Sequence, residues 1–259
     1  MTLLCVDVGN SHTVLGVFQG AGLLQHWRVA TDERRTADEW ALVLQGLIGR
    51  LSGDAVVDGI ALCSTVPMVL HEMRDMLRRH YDDVPALLVE PGVRTGVPVL
   101  TDNPREVGTD RVLNALAASR LCTGPSIVVD FGTATNFDVV SARGEYLGGA
   151  IAPGIELSLE ALATRGAQLR RVEVARPRSV VAKNTVEALQ SGAVYGFASQ
   201  VDGLVDRMIE ELGWAPQGVT VIATGGLAPV VLQECRTPLR HEPWLTLIGL
   251  RLAYERTTR

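Results

Sequence analysis

Lysine is almost absent from this chain of 259 residues: Lys183 is the one lysine among 24 basic residues, and all the others are arginine. The residues around it read VVAKNT, which differs from the G-x-x-x-x-G-K-[ST] pattern of a P-loop. The H-R-D motif that accompanies the strand lysine of protein kinases is missing as well. If the chain handles ATP, it does so without the phosphate-binding lysine of either class.

Closely spaced cysteines are lacking too. The four cysteines are Cys5, Cys63, Cys122 and Cys235, and no two of them form a C-x-x-C pair. Cys5 and Cys63 lie within apolar runs, where a reduced thiol behaves as a small hydrophobic side chain. We therefore expect inert core cysteines in a reducing compartment, which for this chain is the cytoplasm.

The chain has no excess of positive charge, since its formal net charge is -5. A nucleic-acid-binding surface needs clustered positive charge to displace counterions, so we expect no nucleic-acid partner. No apolar run reaches the roughly 18 residues of a membrane span. The apolar N-terminal run is interrupted by Asp7 and has no basic leader, which predicts no signal peptide. We expect no membrane partner.

Two segments of the chain resemble each other. Residues 3–18 read LLCVDVGNSHTVLGVF, and residues 126–141 read SIVVDFGTATNFDVVS. Each is an apolar run followed by Asp, one residue, Gly, a polar turn and a second β-rich run. Each continues into a glycine-containing turn and a third extended run, which is typical of a β-meander. The pattern predicts two domains, 1–120 and 121–259, with the boundary near residues 119–125.

Helices and further strands follow each meander. Thr36 and Glu39 are spaced as a capping box at the start of an amphipathic pattern. Helices are predicted at residues 36–51, 68–81, 110–121, 185–212 and 245–256, and further strands at 59–67, 86–91 and 220–226. Two β-β-β-α-β-α units predict two α/β lobes, each with a mixed sheet flanked by helices, and a nucleotide cleft between them.

The first motif that points to a function is the turn after the first apolar run. It comprises Asp7, Val8, Gly9, Asn10, Ser11, His12 and Thr13. Glycine at the bend lets backbone N–H groups approach a phosphate, because no Cβ stands in the way. Asp7 suits a water-mediated contact to Mg²⁺, which usually keeps several of its waters. The simpler alternative is an Asx turn that closes a hairpin.

The second motif, DFGTAT at residues 130–135, repeats this arrangement in the other half. Two such hairpins, one opening each lobe, can clamp a polyphosphate. A third motif, ATGG at residues 223–226, ends a strand and opens a helix, where backbone and dipole favour a nucleotide; a plain βα turn is the alternative. In this order the motifs resemble those of the actin, sugar-kinase and heat-shock chaperone superfamily, which implies an actin-like (ribonuclease H-like) fold.

Further segments are similar to one family of that superfamily, the type III pantothenate kinases. They are NPREVGTDR at 103–111, EYLGGAIAPG at 145–154, KNT at 183–185 and LTLIGLRLAYER at 245–256. The resemblance spans essentially the whole chain. It implies ATP-dependent phosphorylation of pantothenate to 4′-phosphopantothenate, the first step of coenzyme A biosynthesis. Thr101 departs from the family's frequent Tyr, and Thr109, Asn136 and Ala182 replace a usual Ala, Thr and Gly.

The resemblance also implies a role for each motif residue. The implied ATP-binding residues are Asp7, Val8, Gly9, Asn10, Ser11, His12, Thr13, Val14, Thr133, Gly225 and Gly226. The implied pantothenate-binding residues are Gly108, Thr109, Asp110, Arg111 and Thr185. Asp110 would be the catalytic residue that positions the attacking hydroxyl, with Arg111 near the pantothenate carboxylate. Asp7 would hold Mg²⁺ through water. Asp130 would bind a monovalent cation, potassium or ammonium. Thr185 would reach the substrate from the neighbouring subunit of a homodimer with shared active sites.

Simpler alternatives stay open for several of these residues. Asp110 opens a predicted helix and can merely complement its dipole, and Arg111 can be a solvated charge. Thr185, or Asn184 with Glu187, can merely cap the long helix. The roles nevertheless agree with phosphoryl transfer, which needs positioning, charge neutralisation and a carboxylate that accepts the hydroxyl proton.

Three other functions also stay open. They are a kinase for another small hydroxy acid, a non-catalytic regulator that keeps the nucleotide cleft, and an actin- or chaperone-like ATPase. Retention of Asp7, Asp110, Arg111 and Asp130 together argues against the regulator. The chain lacks room for a peptide-binding or polymer-forming insertion, which argues against the ATPase.

Overall fold

The two repeated segments fold into matching mixed sheets. The computed structural model describes residues 1–51, 56–166 and 172–258. The strands are β1 (Thr2–Val8), β2 (His12–Gln19), β3 (Gly22–Ala30), β4 (Gly59–Ser64), β5 (Ala86–Val89), β6 (Ser126–Phe131), β7 (Ala134–Val140), β8 (Tyr146–Pro153), β9 (Thr220–Thr224) and β10 (Leu239–His241). The first sheet has the order β3-β2-β1-β4-β5, and the second has the equivalent order β8-β7-β6-β9-β10. In each sheet an antiparallel meander, which the internal repeat predicted, continues into two parallel strands.

Seven helices occur within the described residues. They are α1 (Ala37–Ile48), α2 (Pro67–His80), α3 (Thr109–Leu121), α4 (Ile155–Arg165), α5 (Thr185–Glu211), α6 (Ala228–Val231) and α7 (Leu245–Thr257). The predicted capping box of α1 is present, with the Glu39 N–H donating to Thr36 Oγ1 at 3.4 Å and the Thr36 N–H donating to Glu39 Oε2 at 2.8 Å. Strand β10 and helix α4 were not predicted. None of these helices combines the length and apolar character of a membrane span.

Strand β1 is buried on both of its faces. Leu4 and Val6 belong to the core that Trp40 of α1 and Met73 of α2 share. The opposite face, which carries Cys5, is covered by α7, and a Cβ on its strand partner Gly16 would lie 2.7 Å from Leu247 Cδ1. Burial on both faces explains why β1 is a continuous apolar run rather than an alternating one. Because side chains alternate, Asp7 lies on the same face as Cys5.

The chain groups into two compact units. The first comprises Met1–Val97, Asp102–Ala117 and Leu245–Arg259, and the second comprises Pro98–Thr101 and Ala118–Trp244. Helix α7 packs within the first unit, where the Tyr254 side chain fills the space above Gly59. The domain limits 1–120 and 121–259 stay a prediction. The two compact units differ from these limits chiefly in α7, which groups with the first unit.

Candidate active site

The turn between β1 and β2, residues 9–11, is exposed at its tip and closely hydrogen-bonded; we call it the first turn. The Gly9 N–H donates to the His12 carbonyl oxygen at 3.1 Å, and Val8 pairs with Thr13 in the antiparallel ladder. Asn10 and Ser11 at its tip are exposed, whereas Thr13 is fully buried. The Arg28 guanidinium donates to His12 Nδ1 at 2.8 Å. The tip is open to an approaching anion.

Two carboxylates from distant parts of the chain interact next to this turn. Asp7 is the second-last residue of β1, and Asp110 lies in the first turn of α3. Burial, reinforced by the negative charge of Asp110, raises the pKa of Asp7 from 3.8 to about 7. Burial also raises the pKa of Asp110, against the opposing effects of the Arg111 backbone N–H and guanidinium. The first unit therefore brings together two acids that the sequence had suggested separately.

This acid pair suits a divalent cation that keeps part of its water shell. Two neighbouring carboxylates with raised pKa values are stabilised in their charged forms by a nearby cation. Residues 1–51, 56–166 and 172–258 contain no group of three or more His, Cys, Asp or Glu side chains arranged to hold a metal. Mg²⁺ is commonly held by one or two carboxylates together with substrate phosphates and water. The residues present fit a metal of that kind.

The segment before α3 is shaped around the Asp110 carboxylate. A Cβ added at Gly108 would lie 2.5 Å from Asp110 Oδ1, so any side chain there would displace the carboxylate. The Thr109 hydroxyl is buried without a hydrogen-bond partner among the described residues. A buried hydroxyl with no partner is costly, which makes it a candidate contact for a substrate. Arg111 is partly exposed one residue beyond Asp110.

In the second unit, the equivalent turn between β6 and β7 is held by two glycine-containing segments; we call residues 132–133 the second turn. The Gly132 N–H donates to the Ala134 carbonyl oxygen at 3.0 Å, and the Gly154 N–H donates to the Thr133 carbonyl oxygen at 3.1 Å. Asp130 precedes this turn on β6, and Thr133 is exposed at its tip. A side chain at Gly154 would collide with the Thr133 carbonyl oxygen, which explains the glycine that ends the GGAIAPG segment.

Gly225 packs directly on the same strand. It has a φ of +90°, and a Cβ at this position would lie 2.5 Å from the Phe131 carbonyl oxygen. Its neighbour Thr224 pairs with Asp130 across β9 and β6, so Asp130, the second turn and Gly225 are adjacent. The helix that follows, α6, has only four residues and starts at Ala228. Glycine is therefore needed here chiefly because the two backbone segments approach closely, and the dipole of the short helix is the lesser factor.

Thr185 is exposed at the first position of α5, and it does not cap the helix. The cap is Asn184, whose Oδ1 accepts a hydrogen bond from the Glu187 N–H at 2.9 Å. The Asn184 amide also donates to Glu187 Oε2 at 2.8 Å. The capping alternative thus applies to Asn184 and leaves Thr185 without that structural role.

The sequence did not indicate that Cys63 contacts a residue of the candidate site. It is free and fully buried, as expected of a core cysteine. Its thiol, however, donates to Asp7 Oδ1 at 3.3 Å, because Cys63 lies beside Asp7 in the parallel pairing of β1 and β4. The sequence carries no signal for this contact, because it depends on the register between two strands that are distant in the chain.

The raised pKa of Asp7 predicts a pH-dependent cost to stability. The folded protein binds the Asp7 proton more tightly than the unfolded chain, so its stability should fall as pH rises from about 4 to about 7. Asp7→Asn does not titrate and should raise Tm by a few degrees at pH 8, with the gain vanishing near pH 4. Thermal unfolding at several pH values checks this, with the exposed Asp83→Asn as control. A gain independent of pH would contradict the assigned cause.

Comparison with known proteins gives consistent matches over the chain. Residues 3–207 match the family model described as type III pantothenate kinase. The type III pantothenate kinase of Streptomyces coelicolor is 67% identical over 259 residues, which cover 98% of each chain. That of Thermobifida fusca is 66% identical over 259 residues, covering 99% of this chain and 100% of the relative.

Solved structures agree at the level of the fold. The ROK hexokinase from Thermus thermophilus matches with a TM-score of 0.56 at 17% identity, covering 100% of this chain and 99% of that one. At such low identity the likeness concerns the fold alone. It confirms the actin-like fold of sugar kinases that the motif order predicted.

Proposed function

The chain belongs to the type III pantothenate kinase family, and we propose that Asp7 and Asp110 form the centre of its active site. The enzyme phosphorylates pantothenate with ATP in coenzyme A biosynthesis, and as a kinase of this family it uses a divalent metal. The observation that carries the proposal is the interaction between these two carboxylates, one beside the first turn and one at the start of α3. Phosphoryl transfer to an alcohol needs a metal-binding acid near the nucleotide and a second acid near the acceptor.

Asp110 is the residue that accepts the hydroxyl proton. The pantothenate hydroxyl oxygen forms a bond to the γ-phosphorus of ATP, the bond from that phosphorus to the β–γ bridging oxygen breaks, and the hydroxyl proton passes to the Asp110 carboxylate. The products are ADP and 4′-phosphopantothenate. Burial supports this role, because a raised pKa brings the basicity of Asp110 closer to neutral pH, where proton acceptance is most effective.

Pantothenate binds along residues 108–111 in this proposal. Gly108 leaves space for the Asp110 carboxylate, and the buried Thr109 hydroxyl has no partner among the described residues until a substrate supplies one. Arg111 lies near the pantothenate carboxylate, which a guanidinium grips through two parallel hydrogen bonds. The arrangement fits an anionic substrate on a protein whose net charge is -5, because the needed positive charge is local.

ATP phosphates bind at residues 7–14, which contain the first turn. Thr133 in the second turn is also an ATP-binding residue in this proposal. The exposed tip and the close approach that Gly9 allows support this assignment. Asp7 holds Mg²⁺ through water, and the metal, when bound, neutralises charge on the phosphates. Gly225 and Gly226 complete the nucleotide contacts. Gly225 lies next to Asp130 and the second turn, and this position supports that part of the proposal.

Asp130 binds a monovalent cation, potassium or ammonium, and activity should depend on it. The chain has one lysine, and a bound cation can offset phosphate charge that a P-loop lysine offsets elsewhere. We expect activity to fall at least about tenfold when potassium and ammonium are replaced by sodium at constant ionic strength, since one charge–phosphate contact is lost. Steady-state assays in chloride salts of each ion measure this. Equal rates in all three salts would show that activity does not depend on potassium or ammonium.

The enzyme is a homodimer whose active sites are shared, with Thr185 reaching the substrate of the neighbouring subunit. Thr185 is exposed and is not the helix cap. Val180, Val181 and Val186 on either side of it are 63%, 81% and 45% exposed. Apolar side chains this exposed around a functional threonine suit a surface that a second copy covers. We also place the enzyme in the cytoplasm, where its four free cysteines remain reduced.

The acceptor is tested by a product analysis. The enzyme is incubated with ATP, Mg²⁺ and a mixture of pantothenate and other small hydroxy acids, and the products are separated by mass. We expect one phosphoryl group to be added to pantothenate before any other acid. Preferred phosphorylation of a different hydroxy acid would move the assignment to that substrate and would leave the fold and the nucleotide site in place.

A further inference from the structure

We propose that Thr31 is a positioning residue for ATP: it holds the first turn in shape without touching the nucleotide. Nothing in the sequence motifs singles out Thr31, which follows the last residue of β3. The inference rests on the proposed function, because it takes the first turn to be the site of the ATP phosphates.

Thr31 makes three hydrogen bonds to the first turn and its flank. Its hydroxyl donates to the Gly9 carbonyl oxygen at 2.8 Å. Its backbone N–H donates to the Ser11 carbonyl oxygen at 3.1 Å. Its Oγ1 lies 2.9 Å from Thr13 Oγ1. One residue thus contacts both ends of the turn and the strand that leaves it.

The other hydrogen bonds of Thr31 determine which hydroxyl is the donor in its contact with Thr13. A threonine hydroxyl has a single proton, and that of Thr31 is used by Gly9. Thr13 therefore donates to Thr31. Since Thr13 is fully buried, this contact also satisfies a hydroxyl that would otherwise be costly. This series of hydrogen bonds, from Thr13 through Thr31 to Gly9, leaves the first turn little freedom to adopt another conformation.

These bonds fix the direction of a backbone N–H at the tip. A trans peptide holds its C=O and N–H on opposite sides, so a Gly9 carbonyl aimed at Thr31 turns the Asn10 N–H away from it. Asn10 is exposed, and in this proposal its N–H faces the side from which a phosphate approaches. The sheet places Thr31 for this task, because His12 pairs with Ala30 and the next residue therefore lies beside the turn.

The test compares variants with and without the Thr31 hydroxyl. Thr31→Val and Thr31→Ala remove it, and Thr31→Ser keeps it. We expect both hydroxyl-free variants to weaken binding of a non-hydrolysable ATP analogue with Mg²⁺ about tenfold and to raise KM for ATP similarly, as for one or two lost neutral hydrogen bonds. KM for pantothenate should stay within about twofold, and Thr31→Ser should remain near wild type.

Thr36→Val is the matched control. It removes a threonine hydroxyl from the same unit, at the α1 capping box, and should lower Tm without changing ATP affinity. Unchanged analogue binding in Thr31→Ala overturns the proposal, as does an equal rise in KM for both substrates. Should Thr31→Val fail to fold, Thr31→Ala and Thr31→Ser still decide the outcome. A wild-type protein that binds the analogue but shows no pantothenate-dependent turnover would instead count against the proposed function.

Discussion

Asp110→Asn is expected to lower kcat at least about 100-fold, the usual scale for a positioned acid or base, while ATP binding survives. The amide keeps the size of the side chain and cannot accept the hydroxyl proton. Binding should survive because the nucleotide contacts proposed here lie on the first turn, the second turn and residues 225–226. Removing one of two interacting acids should also ease the ionisation of Asp7, since the charge of Asp110 contributes to its raised pKa.

The measurement is steady-state kinetics together with equilibrium binding of an ATP analogue. Asp83→Asn, which removes an exposed carboxylate from the same unit, serves as the matched control and should keep wild-type kcat. A kcat within a few-fold of wild type in Asp110→Asn would exclude the assigned role and leave Asp110 as a residue that complements the α3 dipole. Loss of analogue binding would contradict the separation of acceptor and nucleotide contacts.

The second large effect is recovery of activity from two inactive variants. If each site of a two-fold dimer takes Asp110 from one chain and Thr185 from the other, a heterodimer of Asp110→Asn and Thr185→Arg has one site with both defects and one with neither. Chains unfolded together in equal amounts and refolded at random form about half heterodimers, so about a quarter of all sites are intact. Activity should therefore rise from near zero to about a quarter of wild type.

The control for this experiment is each variant carried through the same refolding alone. Both should stay inactive, and native mass measurement should show the mixed dimer only in the mixture. A mixture that stays inactive although the heterodimer is present would place the whole site within one chain. Thr185 would then lose its proposed role.

Local signals in the sequence predicted much of the fold. The Thr36–Glu39 spacing predicted the start of α1, because a capping box depends only on residues close in sequence. The repeated DxG segments predicted two equivalent meanders, since each forms between neighbouring strands. The three-residue strand β10 is too short to produce a periodic pattern. Placement of α7 on the first unit depends on contacts between the two ends of the chain.

The sequence predicted the motifs of the candidate site but not how their residues are arranged in space. Asp7 and Asp110 each belong to a recognisable motif, whereas their mutual interaction requires the tertiary fold. The contact of Cys63 with Asp7 depends on the register of two parallel strands, which apolar runs do not determine. Thr31 shows the same limitation, because its three contacts arise only when the end of β3 lies beside the first turn.

The central claim is that this chain transfers a phosphoryl group from ATP to pantothenate. A coupled assay of ADP release by the purified protein, with Mg²⁺ and potassium and with or without pantothenate, tests it most directly. We expect ADP release to be near background without pantothenate, to rise and saturate as pantothenate is added, and to match phosphopantothenate one for one. ADP release at the same rate with and without pantothenate would identify an ATPase, and no release under either condition would identify a non-catalytic protein; either result would contradict the claim.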